Sequence, residues 1–284
     1  MKQSTTPNRK STVLALAFFG VMTLVGISTA HAQNDTLNPL FSTTGPNVLG
    51  EGRIQWNSSL DFYYNSITFN EYDYSISNSF GATTGLRFGI GSRAELTFDI
   101  SGKYSFVESN LINNLHTSAN GVRASVGAKL LLYNGQRWLP QVAFFTHVGV
   151  NNEQYAFNHS IRVNKLQPQI GFMFRNQLGR RWAIDYSLGY AWSADDEPGI
   201  DFASQIEYSL FARWLAFDRL SFGVGMSNVN SAQRMVGGFE VRYQPTDNLQ
   251  LSLQSGSALG HSYGFRGGQY SQAHVLLGAH WTIR

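Results

Sequence analysis

The chain contains no cysteine. That excludes disulfides, thiolate metal sites and cysteine nucleophiles, and a lipid-anchored lipoprotein with them. Charge is scarce too. Asp, Glu, Lys and Arg make up 14% of the 284 residues, against about 25% in ordinary globular domains. The net charge of +3 is small, and no basic run or aromatic-basic patch suggests nucleic acid as a partner. No apolar run reaches the roughly 20 residues of a membrane-spanning helix, which excludes a helical membrane protein. What the chain does have is 28 glycines and 14% aromatic residues. That composition suggests many strands, each with one greasy face.

The N-terminus has the pattern of a targeting segment. Lys2, Arg9 and Lys10 supply positive charge, Val13 to Val25 an apolar core, and Ala30-His31-Ala32 a small-residue cleavage site. Residues 1–32 are therefore expected to be a Sec signal peptide. Residues 33–50, punctuated by Pro39, Gly45 and Pro46, are expected to form an extended periplasmic lead-in. The remainder, 51–284, is expected to be one domain. With about twenty residues between the expected cleavage site and the first strand, no energy-coupling plug domain is expected.

The stretch Phe80–Phe106 sets the rule for the rest. Phe80, Ala82, Thr84, Leu86, Phe88 and Ile90 alternate with Gly81, Thr83, Gly85, Arg87 and Gly89. After Gly91-Ser92, the run Ala94, Leu96, Phe98, Ile100 alternates with Glu95, Thr97, Asp99, Ser101 and then Lys103. A period of two means strand, and the glycine between the runs means a hairpin. Arg87, Arg93, Glu95, Asp99 and Lys103 fall in the polar register. The same alternation recurs, giving twelve strands near 53–64, 80–90, 94–106, 121–133, 142–150, 166–175, 182–192, 205–214, 220–226, 235–243, 249–254 and 274–284. Short turns near 91–92, 134–137, 177–181, 215–219 and 244–248 alternate with longer polar connections near 65–76, 107–119, 151–163, 193–200, 229–233 and 257–269. This is the pattern of an outer-membrane barrel with short periplasmic turns and longer outer loops. The apolar register carries no charge, as a lipid-facing register should: Arg or Lys there costs roughly 2–4 kcal/mol at the midplane. Trp182 and Trp192 bracket the seventh strand. Ten steps of about 3.3 Å, tilted by about 40°, span roughly 25 Å, the height of the apolar band. Pro168 falls inside the sixth strand, where it cannot donate a ladder hydrogen bond, and is expected at a bulge near the outer rim. The fold class is all-β: a single 12-stranded antiparallel transmembrane barrel.

Candidate chemistry lies in the polar register. The lumen and selectivity candidates are Arg87, Glu95, Asp99, Lys103, Arg123, Lys129, Asp185, Glu207, Arg213, Glu240 and Arg242, with His147, His274 and His280. Charges of mixed sign could form a polar path with a selective constriction, or could pair across a lumen closed by its own side chains. The histidines could line that path or titrate as gates. No metal-ligand spacing is present, and no cofactor or catalytic residue is expected. His116-Thr117-Ser118-Ala119-Asn120 resembles the His-x-Ser-Asn element of an outer-membrane phospholipase, in which Ser attacks and His accepts its proton. Here an extra alanine intervenes and the segment reads as a surface loop. Asp195, Asp196 and Glu197 read as a solvated acidic loop. The glycines around 89–91 and 223–225 are followed by no helix and so are not nucleotide loops; they are expected to make room in the lumen.

Several short motifs occur in one order across residues 40–284. They are Thr43-Thr44-Gly45-Pro46 with Gly52-Arg53-Ile54-Gln55-Trp56; the hairpin of Leu86–Ile90 and Ala94–Leu96; and Gly127-Ala128-Lys129 before Trp138-Leu139-Pro140. Leu188-Gly189-Tyr190-Ala191-Trp192 and Pro245–Leu251 follow. In these the chain resembles the outer-membrane barrels of the MetA-pathway of phenol degradation family, also described simply as transporters, especially those of Bacteroidetes-like bacteria. Many such chains end in an aromatic residue read by the barrel-assembly machinery; this one ends Trp281-Thr282-Ile283-Arg284. The resemblance implies a transport-type barrel in the cell outer membrane. The function expected is a passive channel or transporter for small molecules, aromatic or hydrophobic ones included, and not an enzyme. The alternatives are a structural or adhesive barrel with a plugged lumen, or a surface lipid hydrolase. The expected partners are outer-membrane lipid and lipopolysaccharide, the barrel-assembly machinery and a small-molecule solute.

Overall fold

Wherever apolar and polar residues alternate, the backbone runs as a strand. The computed structural model describes residues 45–68, 74–110, 115–136, 139–155, 158–192, 205–227, 236–258, 262–263 and 269–283. The expected signal peptide, residues 33–44 of the lead-in, Trp138 and the acidic loop at 195–197 lie outside them. The strands are β1 (Ile54–Thr68), β2 (Tyr74–Ile90), β3 (Ala94–Ser109), β4 (Leu115–Gln136), β5 (Leu139–Tyr155), β6 (Asn158–Leu178) and β7 (Trp182–Ala191). Then come β8 (Gln205–Phe217), β9 (Leu220–Ser227), β10 (Val236–Thr246), β11 (Leu249–Ala258), β12 (Ser262–Tyr263) and β13 (Gln269–Ile283). All but β12 form the barrel wall, each antiparallel to its neighbour in sequence. The wall closes where β13 pairs back with β1, from Ile54 opposite Ile283 to Thr68 opposite Gln269. Closure gives each of the twelve wall strands a partner on both sides, as hydrocarbon requires. The two-residue β12 pairs with the start of β13.

The expected registers are the observed ones. Phe98, Ile100, Val122, Leu188, Ile206 and Val224 are all exposed on the outer face. In water such a continuous apolar band would be unfavourable; against lipid it is what a barrel needs. Trp182 and Trp192 are both exposed on that face. Near the short turns, Trp182 stacks on Trp214 at 6.1 Å and Trp214 on Phe222 at 6.1 Å. These rings form an aromatic girdle across three strands. Gly91 and Gly179, at φ of 65° and 71°, supply the left-handed residue that the tight turns after β2 and β6 need.

Three expectations change. Most of the connections near 65–76, 107–119 and 151–163 is strand: β1 runs to Thr68, β3 to Ser109, β5 to Tyr155, and their partners begin at Tyr74, Leu115 and Asn158. In these stretches, such as Asn151–Gln154, residues are polar in both registers. Wall that stands clear of hydrocarbon needs no apolar face, so the ladder continues while the alternation disappears. Pro168 sits at no bulge. It pairs in register with Val148, just beyond the last β6–β7 pair, Gln169 opposite Ala191. Its carbonyl accepts from the Trp192 N–H at 2.9 Å, so its missing N–H belongs to a ladder that is ending. Arg93, finally, is a turn residue whose carbonyl accepts from the Leu131 N–H at 2.7 Å; it is not part of a lumen-facing run.

Candidate functional site

The end of the lead-in is folded into the barrel. A tight turn over Gly50–Arg53, closed by the Arg53 N–H on the Gly50 carbonyl at 3.1 Å, reverses the chain from the lumen into β1. Pro46, Val48 and Leu49 are buried. The segment passes so close to β2 that a Cβ on Gly89 would lie 2.0 Å from the Gly50 carbonyl oxygen. The expectation of an extended periplasmic lead-in is therefore corrected for residues 45–50, which line the lumen at the short-turn rim. What captures them is charge. Leu49 N–H donates to Glu95 Oε2 at 2.9 Å. Lys129 Nζ donates to the carbonyls of Gly45, at 2.9 Å, and Asn47.

Glu95 and Lys129 belong to a buried network on β1–β4. Arg87 Nη2 donates to both Glu95 oxygens, at 2.8 and 2.7 Å, and its Nη1 to Gln55 Oε1 at 2.6 Å. Lys129 Nζ is 2.9 Å from Glu95 Oε1. Gln55 Nε2 continues to Thr282 Oγ1 at 3.2 Å, across the closing seam. One carboxylate thus meets two cations and a backbone N–H, so its charge is compensated in a place that water barely reaches.

A second network crosses β6, β7, β8, β10 and β11. Arg175 Nε is 2.5 Å from Asp185 Oδ1 and its Nη2 donates to Oδ2 at 2.8 Å. Arg213 contacts Asp185 Oδ2 through Nη1 and reaches Glu240 Oε2 through Nε at 3.2 Å. Arg242 Nε lies 2.8 Å from Glu240 Oε1, which also accepts from Gln254 Nε2 at 2.7 Å. Of the charges expected in the lumen, seven fall in these two clusters: Arg87, Glu95 and Lys129 in one, Asp185, Arg213, Glu240 and Arg242 in the other.

The rest are spread along the wall. Asp99 on β3 and Arg123 on β4 lie diagonally across a ladder, opposite Ser125 and Ser101. Lys103 Nζ stands 5.8 Å over the Tyr63 ring, which is 5.3 Å from the ring of His274. Glu207 accepts from Gln169 Nε2. His280 Nδ1 is 2.6 Å from Asn57 Oδ1. His147 on β5 lies over Gly127, where a Cβ would meet its Cδ2 at 2.9 Å. Ser79 with Ser105 and Ser187 with Ser209 bridge strands at 2.8 and 2.7 Å. The histidines are not gathered, and among the described residues no group of three His, Asp or Glu could hold a metal.

Some lumen residues are absent from the expected set. Phe145, Met173 and Phe211 are buried in the inward register. The glycines make room for these rings rather than for open lumen. A Cβ on Gly171 would meet Phe145 Cε1 at 2.7 Å, and one on Gly225 would meet Phe211 Cγ at 2.5 Å. The signal was present as a break in alternation: Phe144-Phe145, Phe172-Met173-Phe174 and Leu210-Phe211-Ala212 put apolar residues in both registers. Also missed was a cavity of about 690 Å³ at the short-turn rim. It lies between Asn47 of the lead-in and the β4–β11 side of the mouth, and its lining includes Arg180, Arg181 and Arg219 from the turns. The adjacent Arg180-Arg181 pair was the available hint.

The phospholipase-like segment is not a loop. Leu115–Asn120 is the beginning of β4, with Ser118 opposite Phe106 and Asn120 opposite Tyr104. Ser118 and Asn120 share the outward register with Val122.

Solved structures resemble the whole barrel. The COG4313 outer membrane channel from Pseudomonas putida F1 matches with a TM-score of 0.56 at 15% identity, covering 84% of this chain and 98% of that one. The transport unit of the autotransporter AIDA-I from Escherichia coli matches at 0.52 and 12% identity, over 94% and 97%. The P. putida toluene transporter TodX is more distant, at 0.45 and 9%, over 82% and 90%. At these identities the likeness is one of fold. No curated protein matches the sequence. The family model described as "Putative MetA-pathway of phenol degradation" matches residues 38–272, and with most of the barrel inside that match, the chain belongs to this family.

Proposed function

We propose that this protein is a passive channel or transporter of the outer membrane, carrying small molecules through a polar lumen whose selectivity the inward charges set. The observation that carries the reading is the open cavity at the short-turn rim, at one end of a lumen walled by hydrogen-bonded charges. The short turns and both ends of the barrel share that rim, which is the periplasmic one in a barrel with an even strand number. In this reading the signal peptide delivers the chain, the barrel-assembly machinery inserts it, and its girdle meets lipid and lipopolysaccharide. The family description points to aromatic solutes. Catalysis is not favoured: Ser118 lies in the outward register, away from the lumen charges.

A plugged structural barrel is the second reading, and the burial of residues 46–49 within the mouth favours it. Recording from refolded protein in planar bilayers separates the two. A channel shows discrete conductance steps and solute flux into liposomes; silence in both assays rejects transport in favour of the plugged barrel.

A further inference from the structure

The periplasmic cavity has a chemistry of its own. Six arginines line it, Arg175, Arg180, Arg181, Arg213, Arg219 and Arg242, with one carboxylate, Asp218, in the lining. Arg175, Arg213 and Arg242 are paired with Asp185 and Glu240 behind it, and Arg219 with Asp247, so positive charge still prevails. The lining also carries the apolar Leu139, Ala183 and Leu215 of the inward register. Positive charge gathered in a cleft with low-dielectric walls focuses its field on the space between. Guanidinium forks are planar and match carboxylates in two-point geometry. The volume lies within the range that encloses a small organic ligand.

A second observation points the same way. Arg213 is buried, its side chain only 7% exposed, and its Nη2 has no hydrogen-bond partner. A buried donor left unmade is costly, and Arg213 is one of the lining residues. Arg180 and Arg181 stand exposed on the turn after β6, where incoming solute would pass. Arg219 is steadied by Asp247 at 3.4 Å and by the Pro245 carbonyl at 2.8 Å.

We infer that this cavity is a binding site for small organic carboxylates, held by the arginines and by the apolar Leu139 and Leu215 of the lining. The inference names a solute class for the channel proposed above. It rests on that reading for passage, though not for binding. A simple inorganic anion would use the arginines alone; an aromatic or aliphatic carboxylate also uses the apolar lining residues.

Full-length protein refolded in detergent is titrated calorimetrically with benzoate, phthalate, benzyl alcohol or inorganic phosphate. Saturable, salt-sensitive binding of benzoate and phthalate is expected, with neither benzyl alcohol nor phosphate matching it. Arg180→Gln/Arg181→Gln should raise the half-saturating phthalate concentration by about tenfold, as the loss of charge-assisted bonds implies. Ser221→Asp, which places a carboxylate in the lining, should do the same. Heat-modifiable gel migration shows that each variant is folded. In bilayers, wild-type protein should prefer chloride over potassium, and the double variant should reduce that permeability ratio by about threefold. Equal binding of benzyl alcohol and benzoate, better binding of phosphate than of phthalate, or a folded double variant with unchanged affinity overturns the inference. Carboxylate binding without any current leaves the site standing and rejects the channel. Current without carboxylate binding does the reverse.

Discussion

Gly171 shows how closely single residues determine this lumen. A Cβ there would lie 2.5 Å from the Leu188 carbonyl oxygen, 2.6 Å from Gly189 Cα and 2.7 Å from Phe145 Cε1. Phe145 can be laid flat on the wall because both facing residues, Gly171 and Gly189, lack side chains. Gly171→Ala must therefore displace either a ring or a backbone. Overpacking of this kind costs about 1–3 kcal/mol, and the variant should unfold at a lower urea concentration than wild type. Adding Phe145→Leu should recover only part of the loss, since the Leu188 carbonyl does not move with the ring. An unchanged midpoint for Gly171→Ala would show that the close approach is not real. Glu95 is the polar counterpart. It accepts from Arg87, Lys129 and the Leu49 N–H together, so it joins wall and lead-in at one atom pair.

At the scale of the element, the lead-in and the outer hairpins are what the sequence concealed. The strands were legible because lipid enforces a period of two: from Val122 to Leu130 every outward residue is apolar, and the rule leaves no other register. Above the hydrocarbon, lipid exerts no such demand. Asn151 to Gln154 pair as strand with nothing in their order to show it. The inward charges were legible for the same reason as the strands. Their partners were not, because pairing depends on which side chains meet across neighbouring ladders, as Arg213 meets both Asp185 and Glu240. The lead-in was hidden because Gly45–Gly50 has no periodicity, and its anchors lie 46 residues away at Glu95 and 82 or more away at Lys129. Deleting residues 33–49 tests what this segment does. The deletion removes chain from the mouth and frees Glu95 and Lys129 to face solvent, while the wall keeps its ladders. Larger conductance steps than those of the full chain are expected, with heat-modifiable migration retained. Steps of the same size would mean that the lead-in does not limit the path.

The whole molecule depends on one seam. Eleven of the twelve wall contacts join strands that are neighbours along the wall in chain order; the twelfth brings β1 to β13 across nearly the full chain. Fifteen residue pairs make that contact, and the network around Glu95 crosses it, since Gln55 on β1 reaches Thr282 on β13. A chain without cysteine makes the seam directly testable. Ser58 lies opposite Ala279, and directly opposed residues in an antiparallel pair have Cα atoms about 4.5–5.5 Å apart, within disulfide reach. Ser58→Cys/Ala279→Cys should therefore oxidise to an intramolecular disulfide after refolding. On a non-reducing denaturing gel the boiled protein should then migrate faster than its reduced form, because a loop of most of the barrel is closed. By constraining so long a loop the bond should add a few kcal/mol to resistance against unfolding. Single-cysteine variants, which offer no partner within the chain, control for intermolecular products. If the double variant stays reduced, or links only between chains, β1 and β13 do not meet, and the barrel, its lumen and its periplasmic cavity fail together. Oxidation confined to the intramolecular product establishes the closed wall that every argument about selectivity requires.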